Sequence, residues 1–240
     1  MARKKYTHIF FDLDNTLWDF KTNSKFAIHS AFQILKLDEK GIDFENFFRA
    51  YSGYNNALWT AYRNKEIKKK ELTSQRFKLT LDELDINDVE PAEMNRIYLS
   101  EMPKQNKLVD GALDLLNYLK DKKYQLAVIT NGFSEVQHNK LYNSGLTPFF
   151  GKIFISEELK APKPARKIFE HAIKSTNAKK STSLMVGDDL EVDILGAAQA
   201  GIDAVYLNRS KRTGSQLLKD NKLNDKFLEI SSLAELKTIL

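Results

Sequence analysis

Five short runs of aliphatic, β-branched and aromatic residues, at 7–11, 125–130, 152–156, 183–187 and 202–207, constrain the fold of this chain more than any other feature. Each is too short for a helix and largely apolar, and each gives way at once to polar or small residues. That is the pattern of a strand buried on both faces of a parallel sheet. Between the later runs lie segments of helical periodicity at 109–122, 134–144, 165–175 and 190–200. Such alternation predicts an α/β fold, a doubly wound parallel sheet of the Rossmann-like kind with helices on its faces. With 10 Gly and 5 Pro in 240 residues, the chain lacks the turn punctuation of an all-β architecture.

One interval breaks the alternation. Roughly ninety residues of helical character separate the first strand from the first helix of the α/β part, far more than an ordinary connection. Residues 24–37, 44–65, 69–84 and 91–102 read as amphipathic helices, with Phe47, Tyr51, Tyr54, Leu58 and Tyr62 at three- and four-residue spacing. The expected organisation is an α/β core from residues 1–18 and 103–240, split by an inserted helical bundle at 19–102. Across residues 19–98 there are 13 Lys/Arg and 13 Asp/Glu, so the net charge of +5 belongs to the α/β part.

That excess does not describe a nucleic-acid surface. The lysines are dispersed, and the densest cluster, Lys68-Lys69-Lys70, is bracketed by Glu66 and Glu71 as on a solvated helix face. The absence of cysteine excludes a disulfide scaffold, a thiolate zinc site, an iron–sulfur cluster and a cysteine nucleophile, and fits a reducing, cytoplasmic setting. His8, His29, His138 and His171 have no spacing that reads as a zinc motif. No run approaches the roughly 18 apolar residues of a membrane span, and the basic start is followed by too short an apolar stretch for a signal peptide. Neither a membrane nor a nucleic-acid polymer is expected as a partner, and a monomer or weak dimer is expected.

In open α/β sheets ligands bind beyond the carboxyl ends of the strands, near the point where strand order reverses. Three strand ends here carry acids, hydroxyls and glycines: Asp12-Leu13-Asp14-Asn15-Thr16, Thr130-Asn131-Gly132, and Gly187-Asp188-Asp189 running on to Asp193. Asp12 follows Ile9-Phe10-Phe11 directly, and Asp14 returns to the same side of an extended chain. Two carboxylates so close either share a proton or hold a cation. With Asp188 arriving from another strand, the oxygens meet without nitrogen or sulfur ligands, which points to magnesium. Thr130, with backbone amides at the entry to a helix, offers a cradle for an anion. A cation is expected from Lys160-Ala161-Pro162-Lys163-Pro164, where two prolines stiffen the chain; Lys163 and Lys160 compete for that place.

These residues resemble the four motifs of the haloacid dehalogenase superfamily, in order and over the α/β part from Thr7 to about Leu207. The motifs are Asp12-Leu-Asp-Asn-Thr16, Thr130, Lys163-Pro164, and Gly187-Asp188 with Asp193. In that family an insert between the first and second motifs is a helical cap of the first type. Phe11 to Phe20, the run Asn56-Ala-Leu-Trp-Thr-Ala-Tyr62, and Val128-Ile-Thr-Asn-Gly-Phe133 look like the pyrimidine 5′-nucleotidase branch. The family commonly has glycine where Lys160 stands.

The resemblance implies a magnesium-dependent phosphomonoester hydrolase working through an aspartyl-phosphate. Asp12 would be the nucleophile and Asp14 the general acid and base. Asp12, the Asp14 carbonyl and Asp188 would hold the metal, with Asp193 supporting from outside. Thr130, Asn131 and Gly132 would hold the phosphoryl group, and Lys163 would offset its charge. Asp189 would point away. A 2-haloacid dehalogenase is the alternative that Asp14 argues against, because only a poor alkoxide leaving group needs that acid. A sugar-phosphate phosphatase or phosphomutase keeps both aspartates and stays open. For substrate contact Trp18, Asn56 and Trp59 stand out; Tyr54 and Tyr62 could stack on a base, and Arg76 reads as a surface ion pair or a partner for a substrate acid.

Overall fold

A computed structural model describes residues 6–209 and 227–240. They form two compact units, one from the chain up to Phe20 with Lys107–Leu240, the other from Lys21–Asn106.

The first unit is built on a sheet of six strands, β1 (His8–Phe11), β2 (Gln125–Thr130), β3 (Lys152–Ile155), β4 (Ser183–Gly187), β5 (Asp203–Leu207) and β6 (Phe227–Ile230). Their order is β3-β2-β1-β4-β5-β6 and every neighbouring pair is parallel. The first five lie within one residue of the apolar runs. The sixth was not anticipated: it is an edge strand with Leu228 and Glu229 exposed, so it needs no continuous apolar run.

Alternate residues of the strands face opposite sides. Phe10, Ala127, Ile129, Phe154 and Met185 form one buried cluster with Ile168, Phe169 and Ala172 of helix α8 (Arg166–Ser175). Ile9, Phe11, Val128 and Val186, which alternate with them, are also buried. Both faces are covered, as a wholly parallel sheet requires, and each large aliphatic or aromatic side chain so buried contributes roughly 1.5–3 kcal/mol. The remaining α-helices of this unit among the described residues are α5 (Ala112–Asp121), α6 (Ser134–Asn143), the short α7 (Ser156–Leu159), α9 (Gly196–Ala200) and the short α10 (Leu236–Ile239). The expected helix at 190–200 begins as a π-helical turn, Leu190–Leu195, before continuing as α9.

The second unit holds most of α1 (Phe20–Ile34), with α2 (Phe44–Arg63), α3 (Lys69–Glu83) and α4 (Pro91–Glu101). Asp43 caps α2 by accepting from the Asn46 amide at 2.8 Å, and Pro91 opens α4, where a missing N–H is harmless. Its core is aromatic: Tyr51 and Phe77 lie 5.0 Å apart, Phe77 and Tyr98 5.6 Å, and Phe32 and Phe47 5.4 Å. The apolar stripe of α2 is buried at Phe47 and Tyr51 and only half-buried at Tyr54, Leu58 and Tyr62. Among the described residues no helix is long and apolar enough to cross a membrane.

Candidate active site

Strand order reverses between β1 and β4, because the chain proceeds outward from β1 through β2 to β3 and then returns to the other side of β1. Phe11 is in register with Val128 on one side and Val186 on the other. The residues just beyond these strands therefore converge at the crevice where a doubly wound sheet binds its ligand. Asp12 leaves β1 there with its amide still bonded to the Val186 carbonyl at 2.9 Å, and Asp188 leaves β4 beside it.

A buried lysine lies among these carboxylates. Lys163, only 1% exposed, donates from Nζ to Asp12 Oδ1 and to Asp193 Oδ1, each at 2.6 Å. Lys160 is exposed and takes a left-handed conformation (φ 49°) at the end of α7, so Lys163 and not Lys160 is the lysine in the crevice. Asn131 clasps the segment that carries it: its Nδ2 donates to the Lys163 carbonyl at 3.0 Å, and the Lys163 amide donates to its Oδ1 at 2.8 Å.

The carboxylates outnumber that cation. Burial pushes Asp12 up to about 7 against the opposing pull of Lys163, with Asp193 and Asp14 adding to the rise. Asp188 is held well above the usual carboxylate range by burial and by the charges of Asp12, Asp193 and Asp189. Burial also raises Asp193, against Lys163. Burial by itself would depress the Lys163 ammonium, yet Asp12 and Asp193 keep it above the ordinary lysine value. One carboxylate oxygen from each of Asp12, Asp188 and Asp193 lies within 4.8 Å of the other two. Three acids against one lysine leave surplus negative charge on an all-oxygen set, and this fits a hard divalent cation.

The π-helical turn sets Asp193. Asp189 stands at its start and accepts from the Glu191 and Val192 amides at 3.1 and 2.9 Å, so its side chain is spent on capping. The widened turn brings Asp193 back until its Oδ2 accepts from the Asp189 amide at 3.2 Å. Gly187 makes room, since a Cβ there would come within 2.3 Å of Asp193 Oδ2. Thr16, to which sequence reasoning gave no role, donates to Asp188 Oδ1 at 3.4 Å.

Thr130 is fully buried at the end of β2, and its Oγ1 accepts from the Gly132 amide at 3.4 Å. It is joined to Asp14 by a residue that the sequence did not single out: Gln137 Nε2 donates to Thr130 Oγ1 at 2.6 Å and to Asp14 Oδ2 at 3.0 Å. Lys140, one turn along α6, donates to Asp14 Oδ1 at 2.7 Å. Neither residue carries a sequence signal, because Gln and Lys on a helix are solvent-facing by default.

The residues expected to touch substrate have varied surroundings. Trp18 is fully buried, with the Lys140 ammonium 4.3 Å from its ring centroid, so its indole is not an open stacking face. Asn56 is exposed on α2; Trp59 is half-buried and meets Tyr62 edge-on at 5.7 Å. Arg76 is not at the surface. It is 2% exposed, held by Asn95 Oδ1 at 2.7 Å and Asn55 Oδ1 at 3.4 Å, and lies 4.7 Å from the Tyr98 ring centroid. Amide oxygens and aromatic faces take the place of a carboxylate there.

Residues 6–201 match the haloacid dehalogenase-like hydrolase family. The pyrimidine 5′-nucleotidase YjjG of Escherichia coli is 33% identical over 237 residues, covering 98% of both chains. The pyrimidine 5′-nucleotidase PynA of Streptococcus pneumoniae is 34% identical over 205 residues, 85% of this chain and 84% of its own. The HAD-hydrolase YfnB of Bacillus subtilis, solved bound to magnesium, superposes with a TM-score of 0.85 at 28% identity over 99% of both chains. With buried acids and one lysine at its switch point and likeness along nearly its whole length, the chain belongs to the haloacid dehalogenase-like hydrolases.

Proposed function

We propose that this protein is a magnesium-dependent phosphomonoester hydrolase that works through an aspartyl-phosphate on Asp12, with pyrimidine nucleoside 5′-monophosphates as preferred substrates. The observation that carries the chemistry is the pairing of two differently held aspartates. Asp12 is buried against Lys163, while Asp14 is tethered to Thr130 through a single amide group.

A carboxylate oxygen of Asp12 attacks phosphorus, the P–O bond to the alkoxide breaks, and Asp14 donates a proton to the departing oxygen. Asp14 then takes a proton from water, which attacks the acyl phosphate, frees inorganic phosphate and restores Asp12. Thr130 Oγ1 and the amides of Asn131 and Gly132 hold the phosphoryl oxygens, and the Lys163 ammonium offsets their charge together with that of Asp12. Asp12, Asp188 and the Asp14 carbonyl would hold magnesium, which when bound would supply charge neutralisation between two anions that otherwise repel. Asp193, already engaged at both oxygens by Lys163 and the Asp189 amide, orients these groups from outside.

The substrate rests on the two nucleotidases that share about a third of their residues with this chain along most of its length. A screen of nucleoside 5′-monophosphates, sugar phosphates, phosphoglycolate and pyrophosphate, with magnesium present, tests it. The highest kcat/KM is expected for a pyrimidine nucleotide, and a flat or sugar-biased profile removes that assignment. Asp12→Asn should release no phosphate from any of them; an active Asp12→Asn protein would sink the covalent mechanism itself.

A further inference from the structure

Gln137 and Lys140 sit three residues apart on one face of α6, and both end on the same carboxylate. Lys140 engages Asp14 Oδ1 and Gln137 engages Asp14 Oδ2, so each oxygen has its own donor. Gln137 is fully buried and Lys140 is 2% exposed. We propose that they are positioning residues for Asp14, fixing its carboxyl group relative to Thr130 so that its proton reaches the leaving oxygen. This rests on the reading of Asp14 as the general acid.

Three features carry the proposal. An ammonium taken out of water needs a partner, and Lys140 has Asp14 for it, with its remaining faces against the rings of Trp18 at 4.3 Å and Phe20 at 5.2 Å. Held between two aromatic faces, the ammonium has little freedom to follow a swinging carboxylate. The Gln137 amide spends both of its N–H groups, one on Asp14 and one on Thr130, so the acid and the phosphate-holding hydroxyl are a single bridging group apart. Its Oε1 has no hydrogen-bond partner among the described residues. Turning the amide over would aim that oxygen at the Asp14 carboxylate, which repels it, so Asp14 sets the orientation.

The backbone adds a further restriction. A Cβ at Gly132 would fall 2.3 Å from Gln137 Cδ, so the glutamine side chain lies directly over the loop that offers its amides to phosphate. Since a carboxylate has about four acceptor sites, two donors leave room for the travelling proton and the leaving oxygen. Proton transfer demands this placement, because a misplacement of about 1 Å can cost roughly 10²-fold in rate.

The test compares kcat/KM for an alkyl ester, the best nucleoside 5′-monophosphate, with kcat/KM for p-nitrophenyl phosphate, whose leaving group departs without a proton. Asp14→Asn should lower the alkyl value by about 10²–10⁴-fold and the aryl value far less. Gln137→Met and Lys140→Met should follow it in direction, with an alkyl-selective loss of about tenfold or more, and Lys140→Arg should recover most of the loss. In a Trp59→Phe background, the emission of Trp18 should change in Lys140→Met and stay near its original position in Lys140→Arg. Equal losses on both esters, or none, in the Gln137 and Lys140 variants while Asp14→Asn remains selective overturn the positioning proposal alone. An unselective Asp14→Asn overturns the acid assignment with it. If Lys140→Met does not fold, Gln137→Met is read by the same ratio.

Discussion

At the residue scale the site is an imbalance of charge held in place by burial. Asp12 is raised to about 7 because the cost of burying its charge exceeds the help it receives from Lys163. An acid with a raised folded-state value holds its proton more tightly folded than unfolded, where the value is about 3.9. Stability is therefore highest while both states are protonated and is lost as pH rises from about 4 to 7. Asp188 and Asp193 shift in the same direction and deepen the loss. Thermal melts in chelator should show Tm falling through that window, less steeply in Asp12→Asn; a Tm that rises with pH there would contradict the arrangement. Lys160 gives a second prediction at this scale. Its left-handed backbone is a conformation that glycine adopts without strain, so Lys160→Gly should stabilise by about 0.5–1 kcal/mol and leave hydrolysis unchanged. The glycine usual in the family at that position has the same physical reason.

At the scale of elements, the site is made where strands stop and helices begin. Asp12, Thr130 and Asp188 were legible because each interrupts an apolar run at the strand end or just beyond it. The π-helical turn was not legible, since apolar positions in 190–200 fit an ordinary helix equally well. Its widening is stated by two bonds to the Asp189 carbonyl, from the Asp193 amide at 2.9 Å and the Ile194 amide at 3.3 Å. Gly187 is the position where this geometry is most exposed to mutation. Gly187→Ala must push Asp193 away from Lys163, with a larger loss of activity than of stability as the expected result, read by kcat beside a melting curve. The helical insert fared differently. Its four helices follow the expected segments closely, yet the side chains chosen as substrate contacts do not share one environment. Helical periodicity tells which face is apolar without telling whether an aromatic there packs or binds.

For the whole molecule, the relevant quantity is what binding adds. A ligand that engages only the folded state stabilises it by an amount that grows with the logarithm of its free concentration, about 2.7 kcal/mol at a hundredfold excess over Kd. Magnesium should accordingly raise the Tm of the metal-free protein at pH 7.5, and Asp188→Asn should abolish most of that rise; differential scanning fluorimetry with and without the metal reads both. The net charge of +5, which the sequence assigns outside the helical insert, does not gather at the site, where Lys163 faces an excess of acids.

The order of motifs along the chain determined the fold class and the insertion and singled out Asp12, Thr130 and Asp188, because these depend on local pattern. A residue just past the carboxyl end of a strand lies at the rim of the sheet, and that place is set by the apolar run before it. Only the tertiary structure decided which lysine enters, that Asp193 is spent on Lys163, and that Gln137 and Lys140 reach Asp14 across more than a hundred residues of sequence. Hydrogen bonds of that separation follow from where α6 lies against the segment that leaves β1, and that placement is a property of the assembled unit rather than of any segment in it.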